Sequence, residues 1–353
     1  MAFLKIENVR ISGISGCVPE RVERNLDFPF LTKDEIEKYI RTIGVEERHC
    51  SLNDGSICTS DLCYEATERL IADLGWEKDD IQLLVFVSHT ADYKLPSTAC
   101  ILQDRLQLPK STMAFDSPLG CSGFVYGLGM AASILQTGCI KKGLLLVGNT
   151  QSFYAAPKDQ GTKLLFADGG CAVALEYREG APSMEFNYFT NGAGKDALIV
   201  PDGGCRNPFS EDSLREFVDA DGVTRTKLHE KMDGLEVFSF ATTTVPRSLK
   251  ELTEHFDINT DNIDFLLLHQ ANKFLCEKIR KRLKFSEEKT PYNIDRFGNT
   301  SGASIPLLMV TELGEKLRTE PLSFLASGFG VGLSLGCVKF ETTGIACPPL
   351  LTI

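Results

Sequence analysis

Cys121 stands in the run Leu119-Gly120-Cys121-Ser122-Gly123-Phe124, a glycine-flanked turn that leads straight into an apolar helical pattern over residues 122–136. A thiol at a helix N-terminus faces unpaired N–H groups and their partial positive charge, so this placement predicts a lowered pKa and a nucleophile. A cysteine at such a cap is equally a small packing residue. His269 ends the apolar run that begins at Ile263 and precedes a new helical pattern, the place where α/β proteins present functional groups to a crevice. Asn299 lies in the turn Gly298-Asn299-Thr300-Ser301-Gly302, and Ser327-Gly328-Phe329-Gly330-Val331-Gly332 can offer backbone N–H groups to an oxyanion. A thiol, an imidazole, an amide and a glycine loop together describe acyl transfer. On their own, His269 reads as a core or solvated histidine, and Asn299 as a helix cap.

These residues need a scaffold that brings distant segments together. Short apolar runs predict strands at residues 81–88, 144–147, 171–177, 263–269, 322–326 and 333–340. Helical patterns fall between them, at 60–74, 97–106, 122–136, 237–255, 271–283 and 303–317. The alternation predicts an α/β protein with sheets covered on both faces. Ile81-Gln82-Leu83-Leu84-Val85 resembles Ile263-Asp264-Phe265-Leu266-Leu267, and the Cys121 and Asn299 turns each head an apolar helix. These pairs, and the strands that follow them, all lie about 180 residues apart, which predicts two similar halves, 1–180 and 181–353, with equivalent helices near a shared axis. Gly123, Gly127 and Gly129 fit that reading if the Cys121 helix packs closely against its equivalent. Residues 188–225 are rich in turn chemistry and read as a long loop excursion.

Composition removes several classes of function. Lys and Arg total 37 against 48 Asp and Glu, a net charge of −11 that repels a phosphate backbone and argues against nucleic acid. The 12 cysteines are scattered, without zinc-ligand spacing, so no metal is expected. Lys5, Glu7 and Arg10 interrupt any apolar leader and no apolar run reaches spanning length, so a cytoplasmic protein without a membrane span is expected.

The words Gly120-Cys121-Ser122-Gly123-Phe124, His269-Gln270-Ala271-Asn272, Gly298-Asn299-Thr300-Ser301-Gly302-Ala303-Ser304-Ile305-Pro306 and the late glycine loop resemble β-ketoacyl-ACP synthase III. Gly44-Val45-Glu46-Glu47-Arg48-His49, Leu95-Pro96-Ser97-Thr98-Ala99-Cys100 and Phe166-Ala167-Asp168-Gly169-Gly170 extend the likeness, in order, over nearly the whole chain. The resemblance implies the duplicated thiolase fold, with helices between two mixed sheets, and a homodimer. It implies a catalytic set of Cys121, His269 and Asn299, with the N–H groups of Cys121 and Val331 as oxyanion hole. It further implies acyl transfer from an acyl thioester to Cys121 and decarboxylative condensation with malonyl-ACP, with no cofactor. Leu95 stands where the family commonly carries a larger residue that reaches across the dimer into the acyl pocket, and Phe329 is expected to line that pocket as well.

Lys273, Arg280 and Lys284 share one face of the helix after His269, which suits an acidic acyl carrier protein. The family's two CoA-stacking residues are unmatched, because the corresponding segments read Lys38-Tyr39-Ile40-Arg41-Thr42-Ile43-Gly44 and Asp159-Gln160-Gly161. Delivery of the starter by a carrier protein, or by CoA held differently, is therefore expected. Two alternatives stay open: acyl transfer without decarboxylation, and a non-catalytic ketosynthase-like subunit.

Overall fold

The computed structural model describes residues 1–353, whose two large sheets are both mixed. The strands of these two sheets, in chain order, are β1 (Ala2–Ile6), β2 (Val9–Val18), β3 (Leu83–Val87), β4 (Met113–Ser117), β5 (Lys142–Thr150), β6 (Asp168–Tyr177), β7 (Met184–Thr190), β8 (Phe265–Leu268), β9 (Pro321–Gly330), β10 (Ser334–Thr343) and β11 (Leu351–Thr352), and three two-stranded pairs lie outside them. One sheet has the order β11-β2-β6-β5-β3-β4 and the other β1-β7-β10-β9-β8. Within them, β2-β6-β5-β3 and β7-β10-β9-β8 share one pattern: two antiparallel pairings followed by a parallel one. The expected duplicated α/β architecture is present. Each terminus crosses to the other half, since β1 pairs with β7 and β11 pairs with β2.

The principal helices are α1 (Lys33–Ile43), α2 (Thr59–Leu74), α3 (Thr98–Arg105), α4 (Gly123–Leu135), α5 (Gly234–His255), α6 (Lys273–Leu283) and α7 (Ser304–Thr319). Helices α4 and α7 lie between the sheets: Phe124, Val125 and Leu128 share a 39-residue core cluster with Leu307, Leu308 and Leu313, and with strand residues of both sheets. Helices α2 and α3 cover the outer face of the six-stranded sheet, and α5 and α6 that of the other.

The glycines of α4 serve a different contact from the one expected. A Cβ on Gly123 would lie 2.8 Å from Val87 Cγ1, and one on Gly127 2.7 Å from Leu145 Cδ1, while Gly129 lies against the Tyr188 hydroxyl. These glycines bring α4 down onto strands of both sheets rather than onto α7. The loop excursion also differs in extent. Tyr188 to Thr190 still pair with β10, so the irregular stretch runs over residues 191–233, carrying two short strand pairs. The buried Arg225 ties it down through Asp159 (3.3 Å), Asp219 (3.3 Å) and Asp221 (2.8 Å).

Candidate active site

Cys121, His269 and Asn299 line one cavity of about 450 Å³, together with Phe329 and Gly330. Each arrives by a different element. Cys121 precedes α4 in a turn closed by the Gly123 N–H donating to the Gly120 carbonyl at 2.7 Å. His269 follows β8, fixed by its N–H donating to the Ser327 carbonyl at 2.9 Å. Asn299 is held by its N–H donating to the Leu165 carbonyl at 2.9 Å, while its own carbonyl accepts from Ala167 N–H at 3.0 Å. All three side chains are buried.

The thiol does not titrate as the helix N-terminus alone predicts. Burial pushes Cys121 up, against lowering contacts from the Ser301 hydroxyl and the Val331 and Cys121 N–H groups, while the Glu230 charge pushes the same way as burial. Loss of water around the anion outweighs the field of the helix end. The Val331 and Cys121 N–H groups are thus among the groups that favour the anion. The Ser301 hydroxyl lies 3.7 Å from Sγ.

Burial holds the His269 imidazole down at about 3, with a backbone contact to Ser301 pulling the other way. The ring is neutral at working pH. Its Nδ1 lies 2.6 Å from the Ser304 hydroxyl, and Phe329 meets the ring edge-on at 5.4 Å. The Ser304 contact suits either tautomer; with the Ser304 hydroxyl donating into Nδ1, the imidazole hydrogen sits on Nε2, where it can face a substrate oxygen. Asn299 is oriented in the same sense: its Oδ1 accepts from Ser301 N–H at 2.9 Å, leaving Nδ2 as a donor. Ser301 and Ser304 both stand in the word that carries the family resemblance, yet neither draws attention by residue type alone.

The cavity opens between α1, α5 and α6. Its outer lining is Tyr39, Ile43, Leu235, Phe238 and Phe274, with Leu235 83% and Phe274 45% exposed, and no Lys or Arg lines it. Gln160 is exposed, and Asp159 is occupied with the Gly161 N–H and the Thr162 hydroxyl. Leu95 is 82% exposed and lines neither this cavity nor any other large one of its own chain.

The basic face of α6 divides. Lys273 is exposed beside the cavity mouth, and Lys284 is exposed near the far end of the helix, in a groove with Arg247, Lys250 and Arg282. Arg280 corrects the sequence expectation. It is 7% exposed, donates to Glu277 at 2.7 Å and to the Phe285 carbonyl at 2.8 Å, and pairs with Glu287 at 3.1 Å. Its charge is satisfied within the chain, because this part of the helix turns toward the loop that follows it. No three His, Cys, Asp or Glu side chains converge as metal ligands, and no helix is long and apolar enough to cross a membrane.

Residues 115–192 match the family model described as 3-oxoacyl-[acyl-carrier-protein (ACP)] synthase III, and residues 253–342 match the model of that enzyme's C-terminal part. A β-ketoacyl-[acyl-carrier-protein] synthase III of Caldanaerobacter subterraneus subsp. tengcongensis is 33% identical over 92% of this chain and 95% of its own. One from Desulfitobacterium hafniense is 31% identical over 96% of this chain and 99% of its own. Among solved structures, a 3-oxoacyl-(acyl-carrier protein) synthase from Burkholderia xenovorans LB400 superposes with a TM-score of 0.94 at 36% identity, covering 100% of this chain and 99% of that one.

Proposed function

The chain belongs to the β-ketoacyl-[acyl-carrier-protein] synthase III family, and from that premise we propose a ping-pong condensing acyltransferase in fatty-acid or specialised lipid or polyketide synthesis, with Cys121, His269 and Asn299 as its catalytic residues. The convergence of these three side chains in one largely apolar cavity supports the reading most directly.

Cys121 Sγ attacks the carbonyl carbon of an acyl thioester, and the oxyanion forms against the N–H groups of Cys121 and Val331. Collapse expels the carrier thiolate, which takes up the proton released by Cys121, and leaves acyl-Cys121. A malonyl thioester then enters the emptied channel. As its carboxylate leaves as carbon dioxide, the bonding pair moves into an enolate whose oxygen accepts hydrogen bonds from His269 Nε2–H and Asn299 Nδ2–H. The enolate carbon attacks acyl-Cys121, and the thiolate departs from a β-ketoacyl thioester. A neutral His269 is suited to this work, since it donates without needing to be charged.

The apolar outer lining fits a pantetheine arm. An acidic acyl carrier protein, bringing acyl and malonyl groups, would dock on the exposed bases of α6, Lys273 and Lys284 among them. The protein would work in the cytoplasm as a homodimer, in which Leu95 of one subunit closes the acyl pocket of the other.

Intact-mass measurement tests this reading. Acyl-CoA and acyl-ACP donors should add one acyl group to Cys121, with Cys121→Ala as control, and malonyl-ACP should then release carbon dioxide. Acyl transfer to another acceptor without carbon dioxide would point to a non-decarboxylating acyltransferase. No adduct from any donor would leave a non-catalytic subunit.

A further inference from the structure

A second cavity, of about 810 Å³, lies on the other side of the Cys121 turn and is lined by His89, Gln151, Glu230, Tyr154, Leu198 and Val331 among others. Its wall adjoins the turn that carries the nucleophile. His89 packs so tightly on Gly120 that a Cβ there would lie 2.5 Å from Nδ1, and the Val331 methyl lies 3.0 Å from the same point. Leu198 lines both cavities. The Glu230 charge is close enough to oppose ionisation of Cys121.

Lys94, Asp202, Thr226 and His229 also line it, but His89, Gln151 and Glu230 are the polar side chains joined to one another beside the Cys121 turn, unusual for a pocket that would accept a plain alkyl chain. Gln151 is 2% and Glu230 4% exposed. They form a directed chain: the His89 Nε2–H donates to Gln151 Oε1, and Gln151 Nε2 donates to Glu230 Oε2 at 2.8 Å. Every hydrogen bond in it runs toward Glu230. The carboxyl therefore ends the chain as an acceptor, and its other oxygen, Oε1, has no hydrogen-bond partner within the protein. That oxygen is open to the cavity, where water or a donor on a bound chain reaches it.

Refining the condensing-enzyme reading, we infer that this cavity receives the acyl group of the starter and that Glu230, oriented by Gln151 and His89, selects a starter whose chain bears a hydrogen-bond donor, a hydroxyl or an amine. The apolar residues around the network carry the methylene part of the chain, and the donor meets Glu230 Oε1. Burial pushes the Glu230 carboxyl up to about 7, so both of its forms are populated near neutrality, and the ionised form accepts from either kind of donor.

The test is a matched panel of butanoyl, hexanoyl and octanoyl CoA thioesters, each plain, ω-hydroxy and ω-amino, with the rate of acyl-Cys121 formation read by intact mass. The wild-type chain should favour a polar member over its plain counterpart by about tenfold or more at one chain length at least. Glu230→Leu should reverse that ratio. Glu230→Gln separates the two donors, since an amide still accepts from a hydroxyl but has no charge for an ammonium group. Faster acylation by the plain member at every length, with a ratio unmoved by Glu230→Leu, would overturn the selectivity and leave the condensing function standing. No adduct from any thioester or from the corresponding acyl-ACPs would overturn both.

Discussion

Gly330 lies directly against Cys121: a Cβ built on it would sit 2.7 Å from the cysteine Cβ and 2.8 Å from Sγ. The late glycine loop therefore reaches the nucleophile by having no side chain at this point, and the Val331 N–H follows one residue later. Gly330→Ala must push the sulfur, or the loop carrying the Val331 N–H, away from the reacting position. Acylation of Cys121 is expected to slow roughly 10²-fold, the scale on which misplacement of about 1 Å acts. Pre-steady-state mass spectrometry of the acyl-enzyme reads this, and a rate within threefold or so of wild type would show that the loop can yield.

The buried thiol and the buried imidazole are both neutral in the free protein, because burial raises the acid and lowers the base. The sign gives a distinct pH profile. Cys121 stays protonated through neutrality and His269 gains a proton only near pH 3, so no imidazolium–thiolate pair exists at pH 7. Alkylation of Cys121 by iodoacetamide should then accelerate about tenfold per pH unit from about pH 6 to beyond the ordinary thiol range near 8.5. A plateau already reached at about pH 6–7 would mean that an ion pair forms.

Ser304 is expected to act as a positioning residue through its 2.6 Å contact with His269 Nδ1. In Ser304→Ala that contact is lost and the imidazole hydrogen is free to sit on either nitrogen. Decarboxylation of malonyl-ACP should fall by about 10- to 100-fold, while formation of acyl-Cys121, which does not use Nε2–H, changes much less. Separate assays of the two half-reactions provide the check. An equal fall in both would mark a general structural defect instead.

Residues whose roles depend on local sequence were legible before the structure was known. The alternation of strand and helix patterns carries the α/β class, and the Cys121 turn, the strand end at His269 and the repeat at about 180 residues point to the convergence of the three side chains. What escaped were contacts between segments distant in the chain. Gly123 and Gly127 pack on Val87 and Leu145 of separate strands, and helix periodicity names only a face and not its neighbour. His89, Gln151 and Glu230 come from three segments, and none belongs to a pattern that sequence spacing can join. The Cys121 thiol departs from the sequence expectation because a helix end is visible in sequence and burial is not.

Arg280 separates folding from docking on α6. Its guanidinium holds the Glu277 carboxyl, by hydrogen bonding first of all, down to about 2, so Arg280→Ala leaves a carboxylate and the Phe285 carbonyl short of a partner. The loss is expected to be on the order of 3 kcal/mol of stability at pH 7. Glu277 has a depressed pKa, so its contribution is present in full above the unfolded carboxyl range near 4.5 and fades as pH falls toward 2. The gap between wild type and variant in denaturant unfolding should accordingly narrow between about pH 4.5 and pH 2. Lys273→Glu and Lys284→Glu alter exposed charges and should raise the KM for a carrier-protein substrate while leaving the pH 7 unfolding midpoint nearly unchanged. An Arg280→Ala protein of wild-type stability with a raised carrier KM would return Arg280 to the docking face.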